Sequence, residues 1–587
     1  MDARYSVGID LGTTNSALAE VDLAVEPAGP GEPLPAPMPV EVPQLIAPGE
    51  TAPRELLPSF IYLPPAHEKL GDFVVGAYAR DRGAQVPSRL VSSSKSWLAF
   101  RGEQLLPAGA EAEIARITPR EAAARILGQL RDGWETAHAH EAVKLADQAV
   151  TLTVPASFDA VARELTVAAA ADAGLEKLTL LEEPQAALYA WVAAGGDGSA
   201  GDGRSPQGGA SNGKWREHVR PGDVILVVDV GGGTSDFSLI QVGEDEGRLA
   251  LTRVAVGDHI LLGGDNVDLA LAHVVNERLK AQGTRLDAWQ FSALSHACRK
   301  AKETGETALA IPGRGSGLVG GTVRAEIAAD ELRRTVDAFF PEVELSATPL
   351  AQRRAGLTTL GLPYAQDPAV TRHLAAFLRR APQYRPTAIL FNGGVFKDAR
   401  LQGRLGGLVD RWMGKELKRL QPASLDLSVA LGAAYSGLAR RGRGIRIRGG
   451  TARAYYVGVE AAAPAVPGFA APVRAVCLAP FGMEEGSAVD LPGLEVGAVV
   501  GETASFRFFA SSARRDDVAG TVVDEVDELE ELPAIETTLP ATGEKGAAAG
   551  EVIPVHLRSH VTEVGTLEMH LVTEGRAWKL EFSVRQA

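Results

Sequence analysis

Two short segments of the 587-residue chain share one pattern, and this repeat limits the possible folds more than any other feature. Residues 7–14 read VGIDLGTT, and residues 227–234 read VVDVGGGT. In each segment an apolar run with an aspartate leads into a glycine-rich turn that ends in threonine. Such runs are typical of a buried strand followed by a tight turn. The repeat, whose aspartates lie 219 residues apart, therefore predicts two related strand–turn units.

Both segments contain the groups that bind a phosphate chain. Glycines bring backbone N–H groups close to phosphate oxygens, and threonine hydroxyls add further donors. An aspartate at the end of a strand can hold a hydrated Mg²⁺. A single turn of this kind is more often an ordinary hairpin, but two turns with Asp and Thr in matching places favour the functional interpretation. The repeat therefore predicts two facing turns that grip a triphosphate.

The distribution of apolar residues predicts an α/β region followed by an all-β region. β-Branched runs at residues 149–154 and 224–230 alternate with helix-like stretches at 120–143 and 266–282, which indicates α/β architecture with buried strands. After about residue 452, apolar residues recur with period two, as in half-buried antiparallel strands. Between the two regions, residues 440–450 read RRGRGIRIRGG. We expect a flexible, solvated linker there rather than a nucleic-acid patch.

Two other segments are expected to form loops. Residues 27–58 are crowded with proline, which excludes a continuous helix and suggests an extended excursion between two strands. Residues 194–214 are rich in glycine and serine and are expected to be disordered. The P-loop pattern at residues 208–214 lies in this segment and follows no strand, and Trp215 replaces its Ser/Thr. We interpret that pattern as coincidence.

Charge and cysteine content exclude several classes of protein. The net charge of −15 argues against a general affinity for nucleic acid or anionic lipid, since both are bound chiefly by clustered Lys and Arg. The two cysteines have no partner at CxxC spacing, which indicates a reducing compartment. No apolar stretch approaches the ~18 residues of a membrane span, and the N-terminus lacks signal-peptide features. We therefore expect a cytoplasmic protein without nucleic-acid or membrane partners.

Seven blocks resemble, in order, the ATPase domain of the heat-shock protein 70 chaperones. They are GIDLGTTNSALA at 8–19, LTVPASFDAVAR at 152–163, LLEEPQAALYAW at 180–191, VVDVGGGTSDFSL at 227–239, GDHILLGGDNVD at 257–268, FNGGVFKDARLQ at 391–402 and LDLSVALGAA at 425–434. Sugar kinases and actin share only the two turns and the GG block. The resemblance implies an actin-like (ribonuclease H-like), two-lobed ATPase domain that uses ATP and Mg²⁺.

The resemblance also implies roles for individual residues. Asp10 and Asp229 correspond to carboxylates that hold Mg²⁺ through water. Lys95 corresponds to a lysine that helps to place the γ-phosphate and the attacking water, although an ordinary surface lysine is the alternative. The implied catalytic residues are Lys95, Glu183, Asp229, Asp236 and Thr234. The implied nucleotide contacts are Gly12, Thr13, Thr14, Gly231, Gly232, Gly233, Gly263, Gly264, Lys302, Gly393, Gly394, Lys397 and Asp426.

The chain departs from the family where the nucleoside is bound. Arg299 stands in place of the acid that binds the ribose, and Glu306 in place of a serine. Lys397 replaces an arginine that stacks on adenine, and lysine stacks less well than a planar guanidinium. Lys302 and Asp426 are retained. ATP therefore remains the expected nucleotide, with looser discrimination among bases.

The complete prediction has three parts: an ATPase domain at 1–440, a linker at 441–451, and a β-sandwich at 452–587 that resembles the family's substrate-binding domain without its helical lid. Residues 444–448 replace an acidic, leucine-rich linker, so we expect weak, salt-sensitive coupling. The implied function is an ATP-hydrolysing chaperone whose nucleotide state controls the binding of unfolded or partner polypeptides, assisted by co-chaperones. A nucleotide-gated scaffold with one dedicated partner and a small-molecule kinase are the alternatives.

Overall fold

The computed structural model describes the chain except for residues 1–2, 27–33, 101–103, 108–113, 196–213, 246–247, 259, 314–321, 351–363, 452, 461–471, 485, 502, 539–549, 563–566, 574–575 and 583–587. The chain divides into two compact units. The first contains Met1–Phe100, Gln104–Ser157 and Leu165–Ile447, and the second contains Arg101–Glu103, Phe158–Glu164 and Arg448–Ala587. The glycine- and serine-rich segment and most of the rejected P-loop pattern lie outside the described residues.

The strands of the first unit are mostly short. They are β1 (Tyr5–Asp10), β2 (Asn15–Asp22), β3 (Met38–Val40), β4 (Val42–Ala47), β5 (Glu50–Arg54), β6 (Leu56–Pro58), β7 (Ile61–Tyr62), β8 (Val74–Val75), β9 (Leu90–Val91), β10 (Ala149–Val154), β11 (Leu178–Glu182), β12 (Val224–Val230), β13 (Ser235–Asp245), β14 (Arg248–Val256), β15 (Ala308–Ile311), β16 (Val323–Glu326), β17 (Ala388–Asn392), β18 (Lys418–Leu420) and β19 (Ile447–Arg448).

Helices separate many of these strands, as the α/β pattern predicts. They are α1 (Ala77–Gln85), α2 (Ser94–Leu98), α3 (Pro119–Ala137), α4 (Ala160–Asp172), α5 (Glu183–Ala193), α6 (Gly264–Ala281), α7 (Ala288–Thr304), α8 (Ala329–Asp337), α9 (Val370–Arg380), α10 (Ala399–Met413) and α11 (Ser428–Arg440). Helix α3 begins with a capping box, in which Thr118 and Glu121 each accept the other's backbone N–H. The α/β prediction for this part of the chain is confirmed.

Two sheets of the first unit repeat one topology. The first has the order β11-β10-β1-β2-β3, and the second has the order β18-β17-β12-β13-β14-β19. In each, the central strand (β1 or β12) pairs antiparallel with the next strand and parallel with a later one. Asp10 ends β1, and Asp229 lies one residue before the end of β12. The prediction of two related strand–turn units is therefore confirmed.

Helices α5 and α11 fill the space beside both sheets. One apolar core contains Ala17 and Ala19 of the first sheet, Ile225 and Val227 of the second, and apolar side chains of both helices. The helices touch closely, because a Cβ on Gly432 would lie 1.7 Å from the carbonyl oxygen of Ala186. Glycine is the residue that permits this approach. The close contact fixes where α5, and thus the residue at its start, lies between the sheets.

The proline-crowded segment is more ordered than its composition suggests. Between residues 38 and 58 it forms β3, β4, β5 and β6, with β3 and β6 paired to β2 and with β4 paired to β5. These residues are extended and contain no helix, as expected, but they form paired strands rather than a loop. Proline is tolerated at strand edges, where its missing N–H has no partner to lose.

The expectation of a solvated linker is wrong for residues 443–447. Ile445 and Ile447 are only 8% and 4% exposed and belong to the same core as α5 and α11. Ile447 donates its backbone N–H to Tyr189 Oη at 2.8 Å, and β19 adds to the edge of the second sheet beside β14. The exposed Arg446 lies between the two isoleucines. This alternation is typical of a half-buried strand, which the glycine and arginine content had obscured.

The second unit is built from antiparallel strands. They are β20 (Ala454–Glu460), β21 (Val473–Ala479), β22 (Ala488–Val499), β23 (Thr503–Ser511), β24 (Val522–Val523), β25 (Glu530–Thr538), β26 (Val552–Val561), β27 (Leu567–Thr573) and β28 (Arg576–Phe582). Their order is β22-β26-β27-β28-β25-β23-β20-β21-β24. Tyr455 and Val457 pack in one core, and Ala454 and Tyr456 pack in another. The period-two pattern thus predicted these strands correctly.

Among the residues that the structure describes, no helix is both long enough and apolar enough to cross a membrane.

Candidate functional site

The two glycine turns face each other inside the first unit. A Cβ on Gly232 would lie 1.9 Å from Thr14 Oγ1, and one on Gly233 would lie 2.8 Å from Thr13 Cγ2. Side chains larger than hydrogen therefore do not fit at either glycine. The second turn is closed by a hydrogen bond from the Gly231 N–H to the carbonyl oxygen of Thr234 at 3.0 Å. The structure thus brings the two repeated segments together, as two halves of one clamp would require.

Lys95 lies beside the turns and pairs with Glu183. Its ammonium group donates to Glu183 Oε1, and Lys95 is 6% exposed. The interpretation of Lys95 as an ordinary surface lysine is therefore wrong. Ser93, with φ of 53°, leads into the short helix α2 that carries Lys95. Glu183 is the first residue of α5, where a carboxylate interacts favourably with the helix dipole.

Lys95 belongs to a cluster with four carboxylates, and each of these has a raised pKa. Burial raises the pKa of Asp10 to about 7, although the charge of Lys95 opposes the shift. Burial, and then the charge of Glu183, raise the pKa of Asp229 well above its ordinary value. Burial also raises the pKa values of Glu183 and Asp236, again against the charge of Lys95. The cluster therefore holds more negative charge than its buried lysine can neutralise.

Neutral side chains that the sequence did not single out orient these acids. Ser157 Oγ donates to Asp236 Oδ1 at 2.7 Å, and Asn392 Nδ2 donates to Asp229 Oδ2 at 2.9 Å. Thr153 Oγ1 lies 3.5 Å from Asp10 Oδ1. Asn392 ends β17 directly opposite Asp229 in the parallel pair. The sequence did contain a signal for Asn392, because this residue directly precedes the GG block of residues 393–394. Its partner, Asp229, could be identified only from the register of β12 and β17.

A second pair of glycines connects the second turn to helix α6. A Cβ on Gly263 would lie 2.6 Å from the carbonyl oxygen of Gly232, so the backbones are nearly in contact. The Asp265 N–H donates to that carbonyl at 2.7 Å, and the Gly264 N–H donates to the carbonyl of Gly231 at 3.0 Å. Lys302 donates to the Gly264 carbonyl oxygen at 2.9 Å. The structure therefore places Gly263, Gly264 and Lys302 beside the second turn.

Arg299, which stands where the family has a ribose-binding acid, is held by helix α6. Its Nη2 donates to Asp265 Oδ1 at 2.6 Å, and its Nε donates to Asp268 Oδ2 at 2.8 Å. Burial lowers the pKa of Arg299, but these two carboxylates outweigh burial and raise it. Asp265 and Asp268 therefore both form ion pairs with Arg299. Glu306, the other altered position on this side, pairs with the exposed Lys300 at 3.0 Å.

The second GG block lies close to Asp229, and the lysine that follows it lies further out. Gly393 has φ of 91°, and a Cβ there would lie 2.7 Å from Asp229 Oδ1. Gly394 has open space around its α-carbon. Lys397 is more than half exposed and pairs with Asp426, with 2.7 Å between Nζ and Oδ2. The structure therefore brings Lys397 and Asp426 together at the surface. Gly393 instead lies against Asp229 of the acid cluster.

The acid cluster fits a hydrated metal ion better than a directly bound one. Within the described ranges, no group of three or more His, Cys, Asp or Glu side chains is arranged to hold a metal ion. Asn392 Oδ1 is buried and has no hydrogen-bond partner there, although it lies beside Asp229. An unpartnered buried acceptor and an excess of carboxylates are suited to water molecules around a cation. The residues present therefore fit Mg²⁺ with its waters.

Comparisons with known proteins match part of the chain to one family. Residues 80–311 match the family model described as Hsp70 protein. The chain is also 31% identical over 286 residues to the chaperone protein HscA of Salmonella paratyphi B, Salmonella newport and Salmonella heidelberg. Part of the chain, residues 80–311, therefore resembles the heat-shock protein 70 family.

The match to these relatives is partial. It covers 47% of this chain and 38% of each relative, so the chain spans well under half the length of the curated relatives it matches. The matched family region contains Lys95, Glu183, Asp229 and Asp236. Asp10 and the residues after 311 lie outside that region.

Proposed function

We propose that the first unit binds and hydrolyses ATP with Mg²⁺. The observation that carries this proposal is the pair of facing glycine turns, because Gly232 lies against Thr14 and Gly233 against Thr13. Backbone N–H groups of two opposed turns can surround a phosphate chain from both sides. The buried acids and Lys95 lie beside these turns, where the end of a triphosphate would lie. The repeated sheet topology supports an actin-like, two-lobed domain for the same region.

The proposed roles follow from charge and position. Lys95 neutralises charge on the γ-phosphate, and Glu183 and Asp236 orient the attacking water and accept its proton. Thr13, Thr14 and Thr234 donate to phosphate oxygens. Hydrolysis of this kind depends on positioning and charge stabilisation, which a preorganised buried cluster supplies. The raised pKa values of Glu183 and Asp236 suit groups that exchange protons near neutral pH.

Mg²⁺ would be held by the two repeated aspartates. Asp10 is the last residue of β1 and Asp229 is the last but one of the equivalent strand β12, and both carboxylates have raised pKa values in the protein without metal. When bound, the ion neutralises phosphate charge. Asn392 holds Asp229 in place, and Thr153 lies near Asp10. These neighbours favour carboxylates that face waters of the ion rather than the ion itself.

For the whole protein we propose a chaperone role in which nucleotide state controls polypeptide binding. The second unit would be a β-sandwich that binds an unfolded or partner polypeptide, and co-chaperones would act on the first unit. Burial of Ile445 and Ile447 supports coupling through residues 443–447. A ligand shifts an equilibrium only by its differential affinity for two states, so this docked strand must be bound differently with ATP and ADP.

Calorimetry tests nucleotide binding directly. Titration with ATP should give binding in the presence of Mg²⁺ and weaker binding in EDTA. The variant Asp10→Asn should lose the Mg²⁺ dependence, whereas the control variant Asp22→Asn, at the end of the neighbouring strand β2, should bind as the wild type does. If the wild type binds no nucleotide with Mg²⁺ present, the proposal is wrong.

A second experiment addresses the chaperone role. A permanently unfolded, alkylated protein should bind in ADP and dissociate faster on addition of ATP. The variant Thr234→Ala, which we expect to hydrolyse ATP slowly, should remain in the ATP-bound form and release the unfolded protein without rebinding it. Nucleotide-independent binding would contradict gating. If no unfolded protein binds but one cellular protein is retained by this variant, the scaffold alternative replaces the chaperone proposal.

A further inference from the structure

A buried ion pair lies one residue before Glu183 and joins the two repeated sheets. Glu182 ends β11 of the first sheet, and Arg253 lies in β14 of the second. Arg253 Nη1 donates to Glu182 Oε2. Both residues are nearly inaccessible to solvent, at 4% exposure for Glu182 and 5% for Arg253. Neither residue belongs to the phosphate turns or to the acid cluster around Lys95.

The position of Glu182 makes it suited to fix Glu183. Strand β11 ends at Glu182 and helix α5 begins at Glu183, so no loop separates them. Glu182 is the N-cap residue of α5, with φ of −75° and ψ of 136°, yet its side chain makes no capping hydrogen bond. An N-cap carboxylate ordinarily accepts from the first turn of its own helix. Here the Glu182 carboxylate instead accepts a hydrogen bond from Arg253 of the second sheet.

Arg253 lies in an apolar layer, at a position set by a β-bulge. In the β13–β14 pair, Leu239 lies opposite Ala255 and Ile240 lies opposite Arg253, which leaves Val254 as the extra residue. Opposite residues of an antiparallel pair share a face. Ile240 belongs to the core that also contains Ala17 and Ala19 of the first sheet. The bulge thus directs an arginine toward the first sheet at a place where its neighbours are apolar.

Stability alone is a weak explanation for such a pair. Removing two charges from water costs several kcal/mol, and replacement of a buried pair by apolar residues is often neutral or stabilising, by roughly 1–4 kcal/mol. A charged pair does, however, fix the relative position of the two elements that carry it. The two adjacent glutamates have separate cations, since Glu182 pairs with Arg253 and Glu183 pairs with Lys95. Each pair connects the start of α5 to a different element.

We propose that Glu182 and Arg253 form a positioning pair that holds the first turn of α5 so that the Glu183 carboxylate is directed at Lys95 and the attacking water. This proposal rests on the ATPase function proposed above. The pair makes no contact with the reacting atoms and acts through Glu183. It should therefore affect the hydrolysis step and leave nucleotide affinity almost unchanged.

The main test is a double variant, Glu182→Leu with Arg253→Met, which removes both charges and leaves neither buried alone. We expect Mg·ATP affinity within about twofold of the wild type and single-turnover hydrolysis about 10- to 100-fold slower, because small displacements of a catalytic group have effects of this size. The single variant Arg253→Lys keeps the positive charge, so it should hydrolyse ATP at most of the wild-type rate. The control is Asp410→Asn with Arg419→Met, which removes another paired arginine of the same unit.

Hydrogen exchange separates this proposal from the ATPase proposal. Amides of residues 187–190 donate in the first turns of α5, and they should exchange faster in the double variant even without nucleotide. A wild type that does not hydrolyse ATP would contradict only the proposed function. If the double variant does not fold, Glu182→Gln replaces it, since it keeps the shape of the side chain. Unchanged hydrolysis, or unchanged exchange of residues 187–190, in whichever variant folds overturns the positioning role.

Discussion

The two ends of the candidate nucleotide site differ in burial and in how far they depart from the family. At the phosphate end, Gly232 and Gly233 press against the threonines of the opposite turn, and Lys95 is 6% exposed. At the nucleoside end, Lys397 is more than half exposed and Glu306 is paired at the surface. The phosphate end keeps the residues that the resemblance implies. The nucleoside end has changed three of them, at Arg299, Glu306 and Lys397.

The two ends therefore differ in what a substitution would cost. Substitution in the buried end leaves an unpaired charge or fills a space that only glycine leaves open, so its cost is high. Exposed ion pairs contribute roughly 0–1 kcal/mol to stability, so substitutions at the nucleoside end cost little. Arg299 is the exception, because its two ion pairs to Asp265 and Asp268 bind α7 to α6. We therefore expect large effects on hydrolysis from the phosphate end and small effects on affinity from the nucleoside end.

The largest expected effect comes from Lys95→Met. This variant removes the cation among four carboxylates and should slow hydrolysis roughly 10²- to 10³-fold, the range for loss of one preorganised charge-stabilising group. Single-turnover hydrolysis measures it. The matched control at the other end is Lys300→Met, an exposed lysine that should give nearly wild-type rates. Equal losses in both variants would break the distinction between the two ends.

The pH dependence of stability tests the acid cluster without nucleotide. Folding raises the pKa of Asp10 from 3.8 to about 7. Between these values the folded state binds more protons than the unfolded state, so this carboxylate contributes less stability as pH rises through that window. The loss of Tm between about pH 6 and about pH 8, measured in EDTA, should be smaller in Asp10→Asn than in the wild type. Mg·ADP should raise the Tm of the wild type more at the higher pH. If the difference in Tm between the wild type and Asp10→Asn does not change with pH, this account is contradicted.

The docked segment at residues 443–447 is the next test, because its two isoleucines are buried although its composition resembles a surface. Ile447→Asp should cost roughly 2–5 kcal/mol or release the strand, whereas the exposed neighbour Arg446→Asp should cost little. Hydrogen exchange of residues 443–450 measures the release. Since apolar burial is insensitive to salt, protection should persist at high ionic strength. Salt-sensitive protection would instead restore the expectation of coupling through charge.

These contrasts also show what the sequence could predict. The strand–turn repeat and the period-two pattern after residue 452 were predictable, because each depends on local residue order. The contacts of Asn392, Ser157 and Glu182 were not, since each bonds to a residue more than 70 positions away that only the folded chain brings close. Composition was misleading at residues 443–447, where Ile445 and Ile447 are buried on either side of the exposed Arg446. The limits of the two domains and the functions of the site residues stay predictions.

The smallest expected effect concerns Lys397 and the adenine base. A guanidinium stacks on an aromatic ring better than an ammonium group does, and such contacts at exposed sites are worth about 0.5–1 kcal/mol. Lys397→Arg should therefore strengthen ATP binding about two- to fivefold and leave the binding of inorganic tripolyphosphate, which has no base, unchanged. In the wild type, ATP and GTP should compete almost equally, because the residue types that would discriminate between them are replaced. Strong exclusion of GTP by the wild type would show that the exposed end does select the base. Equal gains for ATP and tripolyphosphate in the variant would show that residue 397 does not act through the base.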